Sequence, residues 1–565
     1  MTAVALEPSE SHDATRWVTL AVTIMSAFIV VLDNTVLNVS IPTILRDLHT
    51  TLPSLQWVVT GYALTFATFL IIGGRLGDIY GHRRVFIVGA GLFGVGSLLA
   101  SVATSVPQLV LGEAIIEGIG ASLMLPATLA ILSVTFQGRE RATAFAAWGA
   151  TAGVAAACGP LVGGFLTTDY SWRWSFRINV IIAPLAMVGA ILFMKKAGAP
   201  PERRPRIDVI GAAMVAVGMF LFVFALSEGG LYGWWKPIEP FTIAGHTIWP
   251  TSMPVAITPI ALVVGLVILY AFWVFERAKE RRNDDPLFEI AHFRYRTYRW
   301  GLITSTIVAM GQLGLSFVLP VFLQQSRHLS AEQNGLWQLP TGIFIIIGAQ
   351  AGARLARRIG TTQLVRIGLF AYTVGIVLIL KVTNLGITWY ALLPGLAFYG
   401  VGIGFAGAQL TNVVLSEIPK ESSGVASGTN TTMRQVGAAL GVAVIGSVLA
   451  AQTVHQATTR IRASAMTAAT KVQAIAGVHA MSTAYQPSAN TPSHDVSTLV
   501  HITEISVASS TRYALVFAIV VVGIGSFLSF LIPTVPTFGG RAEAEVLEPV
   551  EPMDIDPAAL APSHP

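Results

Sequence analysis

GGRLGDIYG, residues 73–81, returns without gaps as GARLARRIG at residues 352–360. Each copy is flanked by apolar runs of about 20 residues, the length a helix needs to cross hydrocarbon. Each copy also stands between the second and third such run of its half of the chain. GIG at 118–120 recurs at 402–404, in the fourth run of each half. Fourteen runs begin near Trp17, Leu55, Val85, Pro107, Ala142, Trp174, Asp208, Pro254, Trp300, Gly335, Gln363, Trp389, Gly424 and Arg512. The offset between the copies leaves six runs in each half and two between them. The sequence therefore predicts an all-α polytopic membrane protein with 14 transmembrane helices, two six-helix bundles plus two linker helices in a 6+2+6 plan. Internal repeats of this kind are typical of secondary transporters, with a substrate site between the halves. The expected units are a cytoplasmic tail (1–16), a first bundle (17–194), the linker helices with flanking loops (195–299), a second bundle (300–533) with an extracytoplasmic loop at 453–511, and a disordered cytoplasmic tail (534–565).

Composition agrees with a membrane chain. Of 565 residues 53% are hydrophobic and 12% charged, about half the charge of a soluble domain. The net charge of +5 calls for no nucleic-acid partner, because the cations cluster in alternate loops: Arg83 and Arg84; Arg139 and Arg141; Lys195 to Arg206; Arg277 to Arg282; Arg354 to Arg358. By the positive-inside rule these loops and both termini are cytoplasmic. The N-terminus lacks the basic start and cleavage site of a signal peptide, so the first span is expected to stay as an anchor. The single cysteine, Cys158, excludes an intramolecular disulfide and a cysteine metal site, and among Ala and Gly it reads as a packing residue. The stretch 453–511 is polar and Ala-rich, and its His455, His479, His494 and His501 match no metal-ligand spacing; it reads as a solvated loop.

GRLGDIYGHRRVF (74–86) resembles the signature loop between helices 2 and 3 of the major facilitator superfamily. Gly74, Gly77 and Gly81 allow close approach and a tight turn, Asp78 is placed to meet a helix N-terminus or an arginine of the other half, and Arg83 and Arg84 face anionic headgroups. GATAGVAAACGPLVGG (149–164) resembles the glycine-proline motif that marks exporters of this superfamily in helix 5. Gly149 and Gly153, then Gly159 and Gly163 with Gly164 beside them, form small-residue seams, and Pro160 bends the helix. LDNTVLNVSIP (32–42) and SWRWSFRIN (171–179) resemble the fourteen-helix drug/proton antiporter branch, with Arg177 and Ile181 as departures. The resemblance covers about residues 17–533. It implies a bacterial inner-membrane antiporter that exports amphipathic or cationic small molecules against protons. It further implies a lipid bilayer around a monomer, the proton gradient as energy source, and no cofactor. No Walker A sequence, catalytic triad or metal cluster supports an enzyme. GAGLFG (89–94) lies inside a span with no preceding strand and reads as packing glycine.

The largest departure is LGEAIIEGIGASLMLP (111–126), which carries Glu113 and Glu117 in an apolar run. The branch usually has an arginine four residues before the glycine equivalent to Gly118; here that position is Ala114. At 1.5 Å per residue Asp33 lies about 24 Å along the first helix, and Glu113 and Glu117 about 9 and 15 Å below the outer end of the fourth. Intramembrane acids need an offset for their burial, so the three are expected to face shared water in the central cavity and to couple protons to transport, Glu117 foremost because it lies nearest the midplane. Arg434, about 15 Å into the thirteenth span, is the matching buried cation. Two plainer roles stand beside these, a glutamate hydrogen-bonded to a neighbouring helix and Arg434 as a latch between halves. Counted from GIG, the glutamates' counterparts in the second half are Ala397 and Val401. The alternative functions are a dedicated exporter of a metabolite, lipid or self-made antibiotic, and a non-transporting scaffold or sensor. The latter would show degraded gating motifs and no intramembrane acids.

Overall fold

The computed structural model describes residues 14–534 except 137, 195–207, 244–245, 283–289, 419–422 and 488–490. The first bundle comprises α1 (Ala14–Asp47), α2 (Leu52–Tyr80), α3 (His82–Ser101), α4 (106–135), α5 (Gly138–Phe165) and α6 (Trp174–Phe193). Two linker helices follow, α7 (Val209–Tyr232) and α8 (Ile257–Arg281), joined through a short hairpin of β1 (Phe241–Ile243) and β2 (His246–Trp249). The second bundle comprises α9 (Arg296–Ser326), α10 (Ala331–Ile359), α11 (Thr361–Val382), α12 (Trp389–Leu415), α13 (Ser423–Ala463) and α15 (Ser493–Leu528), with the short α14 (Ala468–Met481) between the last two. Among the described residues twelve helices are long and apolar enough to cross a membrane. α2 and α5 are two further long helices, at the second and fifth places of the sequence plan. The flanking tails lie outside the described residues, apart from the start of α1.

The repeated loop forms the same turn twice. Gly81 (φ 91°) ends α2 and opens α3, its N–H bonded to the Gly77 carbonyl; Gly360 (φ 88°) does the same between α10 and α11, bonded to Ala356. A side chain at that φ is strained, which is why glycine closes both copies. Arg83 does not turn to headgroups as expected. Its guanidinium donates to the carbonyls of Ala190 (3.0 Å) and Ile191 (2.5 Å), satisfying the open C-terminus of α6. Arg366 does the same for the end of the second bundle, donating to Ser529 (3.4 Å) and Ile532 (2.9 Å).

The linker pair is tied at both ends. Asp208 caps α7 by accepting from the Gly211 N–H (2.9 Å) and pairs with Lys279 of α8 (3.0 Å). At the far end Trp57 of α2 donates its indole N–H to the buried Glu228 of α7. Phe220 and Phe224 lie against the same indole.

The stretch 453–511 is not the solvated loop its polarity suggests. α13 and α15 extend into it, α14 crosses between them, and Ile461, Met466, Val478, Tyr485, Leu499 and Ile502 close a small core of their own. Alanine is the strongest helix former, and the apolar residues recur every three or four positions. Its histidines do not converge: His501 approaches Glu504 at 3.5 Å and His494 approaches Asp495 at 3.2 Å. Cys158 is half-buried against Leu32, Val36 and Ala155, the packing role expected of it.

Candidate coupling site and central cavity

α4 is not one regular helix. Val106–Leu109 and Gly118–Thr135 are α-helical, whereas Val110–Glu117 is wound as a π-helix. The repeat shows why. Gly112 presses on Ala100 and Gly96, as Gly395 presses on Ile379 and Gly375; Gly120 presses on Phe93 and Gly89, as Gly402 presses on Tyr372 and Gly368. Eight residues separate Gly112 from Gly120, but seven separate Gly395 from Gly402. The first half carries one extra residue, and the π turn absorbs it.

The same contacts pair Gly120, not Gly118, with Gly402, which corrects the alignment from GIG. Gly96 abuts the backbone of Glu117 as Gly375 abuts that of Tyr399. The counterpart of Glu117 is therefore Tyr399, and that of Glu113, one past Gly112, is Leu396; Ala397 and Val401 are not the matching positions. In the wider coil, whose hydrogen bonds run i to i+5, side chains four apart come closer to eclipse than in an α-helix. Glu113 and Glu117 thereby turn to the same point.

Asp33 of α1 is at that point. One carboxylate oxygen from each of Asp33, Glu113 and Glu117 lies within 4.8 Å of the others. The three are 3%, 1% and 0% exposed. A fourth side chain joins them that the sequence reading passed over. Asn179 of α6, fully buried, donates its amide to Asp33 Oδ1 (2.7 Å) and Glu117 Oε1 (3.0 Å). The signal lay at the end of SWRWSFRIN, as a lone amide entering an apolar helix. Among the described residues no lysine, arginine or histidine pairs with any of the three acids. Asp33 Oδ2, Glu113 Oε2, Glu117 Oε2 and Asn179 Oδ1 are left without hydrogen-bond partners.

The acids do not face the central cavity, contrary to expectation. A cavity of about 60 Å³ lies between the bundles, lined by Thr35 and Asn38 of α1, Pro160 of α5, and Gln312, Gln338 and Tyr399 of the second bundle. Its polar groups are neutral. The acid cluster sits inside the first bundle, between α1, α4 and α6. Among the described residues only α1 belongs to both places: Asp33 enters the cluster, while Thr35 and Asn38 line the cavity.

The glycine motif of α5 divides its contacts. Gly159 lies on Thr35 and Gly163 on Val36, both inside the first bundle, whereas Gly164 meets Ala331 and Glu332 of α10, and Pro160 meets Gly335. The motif's contacts between halves are thus made at Pro160 and Gly164, whereas Gly159 packs within its own bundle. The side-chain surroundings of Gly149, Gly153 and Asp78 lie outside the described residues. At the same end of the molecule α2 packs on α13, Gln56 against Gly446 and Ala63 against Ala438 and Ala439. Towards the arginine-bearing loops, a Cβ on Gly74, Gly407 or Gly428 would meet nothing within 4 Å. Arg434 is not buried as expected. Protein surrounds it, yet the residue keeps an exposed surface on α13. It has no carboxylate partner among the described residues.

Two segments, 23–228 and 199–442, match the family model described as Major Facilitator Superfamily. The chain belongs to the major facilitator superfamily. A probable actinorhodin transporter of Streptomyces coelicolor is 34% identical over 469 residues, covering 82% of this chain and 77% of that protein. A lincomycin resistance protein of Streptomyces lincolnensis is 31% identical, covering 78% of this chain and 85% of that protein. Among solved structures, a bacterial homologue of the human lysosomal transporter Spinster, inward-facing and unoccupied, aligns with a TM-score of 0.60 at 15% identity, covering 92% of this chain and 98% of that one. That likeness is one of fold. The superfamily's two-bundle arrangement accounts for the cavity between halves, and the chain is a multi-pass membrane protein.

Proposed function

We propose that the chain is a proton-coupled antiporter that exports small amphipathic compounds across the inner membrane by alternating access, both termini being cytoplasmic. The relatives named for transport of, or resistance to, antibiotics support export. The observation that carries coupling is the double membership of α1, which holds Asp33 in a sealed acid cluster and Thr35 and Asn38 in the cavity. Three carboxylates so close in a dry bundle need protons or a cation to offset their charge. Counted back from Gly118, the family's helix-4 arginine position is Ala114, so that cation is missing here and the acids Glu113 and Glu117 flank its place.

This arrangement changes the expected logic. Substrate and proton do not compete for one carboxylate, because the cluster is closed off from the cavity. Loading or unloading the cluster instead shifts α1, and α1 carries Thr35 and Asn38 with it. Each charge moved through the membrane field supplies about 2.3 kcal/mol per 100 mV. The mostly neutral lining suits uncharged polar groups on an apolar frame. Relatives named for single antibiotics also favour a dedicated exporter of one compound as a second reading. A substrate-panel efflux assay with and without a protonophore decides: one protonophore-sensitive compound supports the dedicated form, several the broad form, and none removes the proposal.

A further inference from the structure

We infer that the Asp33–Glu113–Glu117–Asn179 cluster is a binding site for a small alkali-metal cation, sodium or lithium, which occupies it in competition with protons. The inference deepens the coupling role proposed above and rests on it only for its consequence, not for the binding itself. It stands on two independent observations. The first is that three carboxylates bring ligand atoms within 4.8 Å of one another with no basic side chain pairing among the described residues. The second is Asn179. This side chain is fully buried and its amide group is spent on two of the acids, yet its Oδ1 is left without a partner, an acceptor held at the cluster with nothing to accept from.

The donors choose the ion. Four oxygens lack partners, Asp33 Oδ2, Glu113 Oε2, Glu117 Oε2 and Asn179 Oδ1, and the Ser97 hydroxyl stands beside Glu117. All are hard oxygen donors, which disfavours the softer transition metals that seek nitrogen or sulfur. Calcium takes 6–8 oxygens, and magnesium demands near-octahedral geometry and usually keeps several waters. A sealed cluster of four or five oxygens between α1, α3, α4 and α6 supplies neither. A small monovalent ion needs fewer ligands and sheds water more readily. It also fits the charge, since protons can neutralise the carboxylates it leaves over. Protons alone can fill the same positions, so each species displaces the other without change of ligand.

The test is direct binding, independent of transport. Purified full-length protein in detergent is titrated with radioactive sodium at alkaline and at acidic pH, with choline chloride holding ionic strength constant. Saturable sodium binding at alkaline pH is expected, displaced by lithium and by acidification. Glu117→Gln and Asn179→Ala should each weaken it by about 10–100-fold, the range for a lost or disordered ligand set. Unchanged melting temperatures show that such losses are not misfolding, and Glu228→Gln, a buried acid outside the cluster, should bind like the wild type. Absence of saturable sodium binding, or equal binding by the Glu117→Gln protein, overturns the inference. If export is then still protonophore-sensitive, the cluster is a proton site and the proposed function stands. If sodium binds as expected but export responds to neither ion gradient, the binding site stands and the coupling role falls.

Discussion

A leucine in place of Gly164 tests whether the contact between α5 and α10 is what closes the cavity at that end. A Cβ at this position would lie 2.8 Å from Glu332 Cα and 2.9 Å from the Ala331 carbonyl carbon, and nearer still to the Ala331 oxygen. Carbon atoms pack best at about 3.5–4.0 Å, so α10 must withdraw by roughly 1 Å before the rest of the leucine is placed. The neighbouring tie, from the Glu332 N–H to the Thr168 hydroxyl at 2.9 Å, is strained by the same movement. Overpacking of this size costs about 1–3 kcal/mol. The cost falls only on the state in which the bundles touch here, so its population should drop by roughly 5–150-fold relative to the open state. A cysteine at Thr341, which lines the cavity, reports it through reaction with a membrane-impermeant maleimide in cells whose Cys158 is replaced by alanine. Labelling from outside should accelerate in Gly164→Leu. Gly159→Ala, whose clash is with Thr35 in the same bundle, should lower thermal stability without accelerating labelling. Wild-type labelling in a normally folded Gly164→Leu protein would refute the assignment of closure to this contact.

Glu117→Gln should abolish uphill, protonophore-sensitive efflux while leaving substrate binding intact, because the cluster is separate from the cavity; uphill efflux at the wild-type rate in the Glu113→Gln, Glu117→Gln double variant would make both glutamates structural. Trp57→Phe strands the buried Glu228 carboxylate without its indole donor and should cost about 1–3 kcal/mol, read as a lower melting temperature that Glu228→Gln partly restores; independent, additive losses would show that the pair does not interact. Where α7 begins, burial pushes the Asp208 carboxyl up, but hydrogen bonds with the Glu276 side chain and the Gly211 N–H, together with the Lys279 ammonium, outweigh it and hold the group below its ordinary value. A depressed carboxylate stabilises the fold above its unfolded value, about 3.9, and that stability is lost as pH falls through the folded value. Asp208→Asn should therefore flatten the acid limb of the stability profile, and an unchanged limb would assign it to other groups.

The plan of the molecule was legible because membrane helices and tight turns leave local marks. Apolar length placed the twelve helices that are long and apolar enough to cross a membrane, and Gly81 and Gly360 recur because the same positive φ recurs. The acids were legible as acids, since carboxylates in apolar runs stand out. Their address was not. An ungapped comparison cannot show where a helix widens. Counting from GIG paired Gly118 with Gly402, whereas the packing pairs Gly120 with it, so Glu117 was misplaced by two positions; the residue absorbed before Glu117 reduces the error to one at Glu113. Asn179 escaped because an isolated amide has no periodicity. The helical cap over 453–511 escaped because its core is built from alanine and a few aliphatics, too sparse to register as hydropathy. Arg83 was read by its charge alone, when its partners are the last carbonyls of α6, a contact only the assembled bundle creates.

The lining of the central cavity is lopsided. Thr35, Asn38, Val39 and Pro160 come from the first bundle, whereas α9, α10 and α12 supply the greater share, including Leu396 and Tyr399, the counterparts of the two glutamates. The two halves thus differ at matching positions, one presenting buried acids within its bundle and the other lining the cavity. Such a division means that substitutions at the cavity-facing positions of the second half can reshape the cavity without touching the buried acids of the first.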